Sequence, residues 1–187
     1  SFAGSRTERR RIVTRFQSPR DPRNYVLVDI RSNVRMKLTD TRDPAPRLAG
    51  VKQEILRYER ADKVPLSGTL YLPPGYEPGT RLPCLVWAYP LEYSGADTAG
   101  QVRSSANTFA RPAGTSPLFF LRQGWAVLLD ATMPVVGDPE TVNETYVEQI
   151  TASARAAIDK LDALGVVDRS RVMVGGHSYG AFMTANL

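Results

Sequence analysis

The run Val172-Met173-Val174-Gly175-Gly176-His177-Ser178-Tyr179-Gly180 leaves this chain fewer options than any other stretch. A short apolar segment rich in β-branched residues reads as a buried strand. It stops at a Gly-x-Ser-x-Gly pattern and is followed by the helix-compatible run Ala181 to Leu187. A strand that turns this sharply into a helix has no room for a Cβ at either flank, which accounts for Gly176 and Gly180. Ser178 is then held at the tip of the turn. Its position at a helix N-terminus, where unpaired N–H groups favour developing negative charge, makes it a candidate nucleophile, and the N–H of Tyr179 a candidate oxyanion-hole donor. Taken alone the pattern also fits a glycine-rich turn with an incidental serine; the strand before it and the helix after it favour a nucleophile elbow.

The 187 residues, 42% of them apolar, suffice for one globular domain or a little more and exclude a disordered chain. The net charge of +5 does not imply a nucleic-acid partner. Much of the excess lies in Arg6, Arg9, Arg10, Arg11, Arg15, Arg20 and Arg23, which are interspersed with Thr, Val, Phe and Pro and read as solvated strand faces and turns. The single cysteine, Cys84, sits in an apolar run and reads as a small core residue; it permits no intrachain disulfide and leaves the compartment open. No apolar stretch approaches the roughly 18 residues of a membrane span, so no membrane partner is expected. No signal pattern is visible, although a chain that begins at Ser1 without Met leaves a removed leader open.

Residues 1–48 read as short strands and polar turns: Arg11 to Phe16, Asn24 to Ile30 and Val34 to Thr39. This is an antiparallel meander, too small to bury its own apolar face. Asp43-Pro44-Ala45-Pro46 reads as a stiff linker, with a boundary near residue 49. Beyond it, Gln53 to Glu59 and Leu66 to Leu72 read as two strands, and Leu82 to Ala88 as a third, apolar enough to be covered on both faces. A long loop is expected from Tyr89-Pro90 to about Thr115, then a short helix from Leu118 to Gln123 and a fourth strand from Trp125 to Asp130. After a loop over Ala131 to Glu140, Thr141-Val142-Asn143-Glu144 has capping-box spacing. Tyr146, Ile150, Ala154, Ala157, Ile158, Leu161 and Leu164 then recur at helical intervals up to Gly165. Strand and helix alternate from the third strand onward, which predicts an α/β architecture with a parallel sheet and right-handed crossovers.

Several stretches resemble the prolyl oligopeptidase family of serine peptidases, most closely its glutamyl endopeptidase branch. They are Pro65 to Tyr76, Trp87-Ala88-Tyr89-Pro90, Ala99-Gly100-Gln101-Val102-Arg103, Tyr146-Val147-Glu148-Gln149 and Gly175 to Leu187. The resemblance implies an α/β-hydrolase catalytic domain, of which 49–187 would be the N-terminal part. Residues 1–48 would be the last blade of a β-propeller. It also implies a second oxyanion donor in the loop after the third strand, often a tyrosine hydroxyl. Tyr89 is the candidate there, with Trp87 or a backbone N–H as alternatives. Arg103 is a candidate partner for a substrate glutamate, since a buried carboxylate needs a cation; the residues alone favour a solvated loop arginine.

The chain departs from the family in its triad. An α/β-hydrolase supplies serine, acid and histidine in that order, yet the sequence continues only nine residues past Ser178. The sole histidine, His177, adjoins the nucleophile, and neighbouring side chains diverge around so sharp a turn. The expected activity is therefore serine peptidase chemistry through an acyl-enzyme on Ser178, possible only with the remainder of the catalytic domain as partner. No cofactor is expected. An esterase or aminopeptidase on the same fold, or an inert fragment that needs a partner chain, remain alternatives. By itself the segment is expected to associate or fold poorly, because Val172, Met173, Val174, Phe182, Met183 and Leu187 would be half-covered.

Overall fold

The computed structural model describes residues 10–99, 102 and 105–187. The chain divides into two compact units, Ser1–Pro46 with Asn107–Arg111, and Arg47–Ala106 with Pro112–Leu187.

In the first unit β1 (Arg11–Phe16), β2 (Asn24–Asp29) and β3 (Arg35–Lys37) form an antiparallel meander in chain order. The polar turns close as their residues suggest. Ser18 Oγ accepts from the N–H groups of Arg20 and Asp21, and Asp29 Oδ1 from those of Arg31 and Ser32. Ile12, Val13, Phe16, Val34 and Met36 remain exposed, because three short strands make no second layer to cover them.

The second unit is built on a five-stranded sheet in the order β4-β5-β7-β6-β8. Its strands are β4 (Lys52–Glu59), β5 (Pro65–Leu72), β6 (Leu82–Tyr93), β7 (Ala126–Val136) and β8 (Val167–Gly175). The β4/β5 and β5/β7 pairs are antiparallel, whereas β6 runs parallel to both β7 and β8. The parallel half is thus the part where strands alternate with helices. Its central strands carry the core: Cys84, Val86, Ala126, Val127 and Leu128 are at most 1% exposed. β8 is the edge of the described sheet and pairs only with β6.

Two strands outrun their expected lengths. Residues 89–93 and 131–136, expected as loops, instead continue β6 and β7 as a parallel ribbon from Ala88↔Ala131 to Tyr93↔Val136. Pro90 and Pro134 obscured this, since proline normally argues against a central strand. Here β8 ends opposite Trp87, so beyond that point β6 has a free side on which a missing N–H costs nothing. The ribbon begins at a register shift between Val86 and Ala88, where Leu129 and Asp130 bulge out of β7 and Asp130 adopts φ 53°.

The helices are α1 (Ala96–Ala99), α2 (Tyr146–Ala163) and α3 (Tyr179–Asn186), with a 3-10 turn at Pro117–Gln123 that Gly124 ends in a left-handed conformation. The expected capping box does not form. Thr141 makes no side-chain cap, and Val142–Thr145 instead winds as a 3-10 turn that leads into α2. The apolar stripe of α2 buries Tyr146, Ile150, Ala154, Ala157 and Leu161 against the sheet, where a fully buried Ile or Leu contributes about 1.5–3 kcal/mol. Leu164, which fits the stripe by spacing, lies past the last turn and is exposed.

A buried arginine ties these layers together. Arg60, at the turn between β4 and β5, donates two hydrogen bonds to Asp62, at 2.8 and 2.7 Å, one to the Pro134 carbonyl at 3.1 Å and one to Gln149 Oε1 at 3.0 Å. Gln149 in turn clamps both backbone groups of Val136. The end of β7 is thereby fixed to α2.

Candidate active site

β8 turns into α3 over Gly176, His177 and Ser178. Ser178 has φ 55° and ψ −116°, a conformation that L residues rarely adopt and that costs on the order of 1–3 kcal/mol. The crowding inferred from the glycine spacing is present. A Cβ on Gly176 would lie 2.5 Å from the Ala88 carbonyl oxygen and 2.6 Å from the Gly180 Cα, and one on Gly180 would also strike the Ala88 oxygen. The C-terminal part of β6 therefore presses directly on the turn.

Ser178 is exposed, caps no helix with its side chain, and its Oγ makes no hydrogen bond among the described residues. The N–H of Tyr179 is the first of α3 and, like the other N–H groups of a first helical turn, has no acceptor within the helix. Tyr89 lies on the β6 ribbon rather than in a loop, 48% exposed, with its ring edge-on to Tyr179 at a centroid distance of 6.1 Å. The structure thus brings Ser178, Tyr179 and Tyr89 to one place. Arg103 lies outside the described residues. His177 is exposed, its carbonyl accepts from the Gly180 N–H at 2.8 Å, and it is among the residues lining a cavity beside the turn.

Two features here escape local patterns. The Tyr179 hydroxyl donates to Glu92 Oε1 at 3.1 Å, and its ring packs against both Tyr146 and Phe182, at centroid distances of 5.5 and 6.0 Å, in a cluster where those two rings are 5.5 Å from each other. Desolvation, followed by the bond to Glu92, raises the Tyr179 phenol above its ordinary pKa and keeps it a donor. The second is Asp130, which sits at the β7 bulge and lines the same cavity as His177. The only sequence signal for Asp130 is a carboxylate at the C-terminal end of an apolar strand, the edge where open α/β sheets place their sites.

The outward apolar surface differs from expectation at one residue: Met183 is fully buried, because α3 turns it onto the core formed by β6 and β8. Met173, Phe182 and Leu187 are exposed. Among the described residues no group of three His, Cys, Asp or Glu side chains could hold a metal, and no helix is long and apolar enough to cross a membrane.

No family model matches the sequence. A chloroplastic protein of Oryza sativa subsp. japonica, named a probable glutamyl endopeptidase, is 45% identical over 183 residues, which are 96% of this chain and 20% of that protein. Its Arabidopsis thaliana namesake is 46% identical over 183 residues, 96% of this chain and 19% of that protein. Among solved structures, the AtxE2 isopeptidase with Astexin3-dC4 bound superposes with a TM-score of 0.63 at 26% identity, over 93% of this chain and 27% of that one. A puromycin-hydrolysing peptidase of Mycobacterium tuberculosis gives 0.62 at 17% identity over 95% of this chain and 27% of its own, a likeness of fold. The chain spans about one fifth of the length of the curated relatives it matches.

Proposed function

Because this chain belongs to the prolyl oligopeptidase family of peptidases, we propose that it carries the nucleophile of a serine peptidase, Ser178, on a nucleophile elbow. Ser178 Oγ attacks the carbonyl carbon of the scissile amide as its proton passes to a general base; the amine then leaves, and water hydrolyses the acyl-enzyme. The tetrahedral oxyanion is received by the Tyr179 N–H and the Tyr89 hydroxyl. The observation that carries this reading is the strained backbone of Ser178, φ 55° and ψ −116°, maintained where Ala88 crowds Gly176 and Gly180. Strain of this kind persists where the surroundings over-determine it, and it clusters at active sites.

In this proposal His177 is not the base, because neighbouring side chains diverge around so sharp a turn. In this proposal the triad acid and histidine come from the remainder of the catalytic domain, which is the partner of this segment. Residues 49–187 form the first part of that domain, and the meander of 1–48 is the closing part of a β-propeller ahead of it. Cleavage after glutamate is proposed from the names of the two plant relatives, with Arg103 as the candidate cation for the substrate carboxylate.

The test is labelling by a fluorophosphonate in a polypeptide of the relatives' full length that carries this chain. Labelling at Ser178, lost in Ser178→Ala, is expected. Labelling elsewhere, or peptide turnover that survives Ser178→Ala, would remove Ser178 from the mechanism. A labelled enzyme that cleaves only esters or N-terminal residues would leave the nucleophile in place and reassign the substrate.

A further inference from the structure

Beside the elbow lies a cavity of about 480 Å³ whose walls include Trp87, Tyr89, Tyr93, Met133, Asp130 and His177. Three aromatic rings and a methionine make it mostly apolar. Ser67, Thr132 and His177 add polar groups to the lining, and Asp130 supplies its carboxylate, which has no hydrogen bond or ion pair among the described residues. Although the residue as a whole is exposed, partial burial desolvates its carboxyl and raises its pKa. Among the described residues the one buried arginine, Arg60, reaches the Pro134 carbonyl but is committed to Asp62. Glu92, a second carboxylate on the same ribbon, accepts from the Tyr179 hydroxyl and has no ion pair among the described residues.

The backbone argues that the carboxylate is aimed on purpose. Asp130 occupies the left-handed region at the β7 bulge, and bulges next to active sites re-aim a side chain. A carboxylate among aromatic faces is matched by a cation with an apolar stem, which gains both charge pairing and cation–π attraction once water is excluded. A free amino acid anion or a purely aliphatic group would leave Asp130 uncompensated. Because His177 adjoins Ser178 and Tyr89 adjoins Tyr179, a side chain in this cavity would belong to a residue close to the attacked bond.

We propose that this cavity is a subsite for a cationic side chain, an arginine guanidinium or a lysine ammonium, of a peptide residue flanking the bond that Ser178 attacks. That the cation belongs to a substrate rests on the reading of Ser178 as nucleophile; that the cavity takes an organic cation does not.

The two statements separate in one experiment. Isothermal titration with N-acetyl-argininamide is performed on the full-length polypeptide as Ser178→Ala, which removes turnover, and on the same protein with Asp130→Asn added. Asparagine keeps the tolerance for φ 53° and removes only the charge. Saturable binding is expected, at least about tenfold weaker with Asp130→Asn, and likewise at least about tenfold weaker for the uncharged N-acetyl-norleucinamide. Should Asp130→Asn fail to melt cooperatively, Leu91→Lys, which tethers an ammonium inside the cavity, is expected to weaken binding to the same degree. No saturable binding, equal affinity in the charge-removed protein, or equal binding of the norleucine derivative would overturn the proposal. Failure of fluorophosphonate labelling in the unmodified protein would sink the nucleophile and leave the cation site standing.

Discussion

Tyr179 donates its hydroxyl proton to Glu92 across 3.1 Å, joining the first residue of α3 to the far end of β6. The backbone N–H of that same tyrosine is the proposed oxyanion donor, so its ring is anchored by a partner 87 residues earlier in the chain. Glu92→Gln keeps an acceptor, whereas Glu92→Ala removes it. The alanine variant is expected to lower kcat several-fold, with the glutamine variant close to the parent, when peptide hydrolysis by the full-length polypeptide is followed. Equal loss in both would show that charge, rather than the hydrogen bond, is what Glu92 supplies.

The two elbow glycines should tolerate no side chain. Gly176→Ala forces a Cβ to 2.5 Å from the Ala88 oxygen, a backbone atom that cannot rotate away. The expected destabilisation is about 1–3 kcal/mol or more, together with loss of fluorophosphonate labelling. Gly95→Ala meets nothing within 4 Å and is the control, expected to leave both melting temperature and labelling unchanged.

Strain at Ser178 gives a prediction of opposite sign. Glycine adopts φ 55° without a Cβ penalty, so Ser178→Gly should raise stability by about 1 kcal/mol, after allowance for the added freedom of the unfolded chain, while ending acylation. A fall in melting temperature would mean that the serine conformation is not strained.

Acid should loosen the Arg60 clamp. The Arg60 hydrogen bonds hold the Asp62 carboxyl below its ordinary pKa, a shift only partly discounted by the half-exposed carboxylate. A depressed folded-state pKa means stability present above the unfolded value of about 3.9 and lost as pH falls through the folded value. Urea denaturation between pH 6 and pH 2 should show this loss in the parent and a smaller one in Asp62→Asn, whose stability at pH 6 is already lower because Arg60 stays buried without its anion.

Cys84 should be inert in the native protein. It is fully buried and its thiol is pushed up to about 12, so almost no thiolate exists at neutral pH. Alkylation at Cys84, read by mass spectrometry of the digested protein, is expected only after denaturation. Rapid native modification would place Cys84 outside the core.

What the residues determined by themselves are the features that rest on spacing within one element. Glycines flanking Ser178 can serve only a tight turn, the 3.6-residue recurrence from Tyr146 to Leu161 can serve only a helix, and an unbroken apolar run around Cys84 implies a strand covered on both faces. Each follows from local sterics or periodicity, which need no knowledge of the partner. The extension of β6 and β7 past Pro90 and Pro134, the 3-10 turn in place of a Thr141 cap, the Arg60–Gln149 clamp and the bond from Tyr179 to Glu92 were decided only by the tertiary structure. In each the determining atom lies across the sheet or in another layer: a strand that ends and frees one edge, a carbonyl that accepts a buried guanidinium. A pattern read along the chain carries no term for a neighbour separated by dozens of residues.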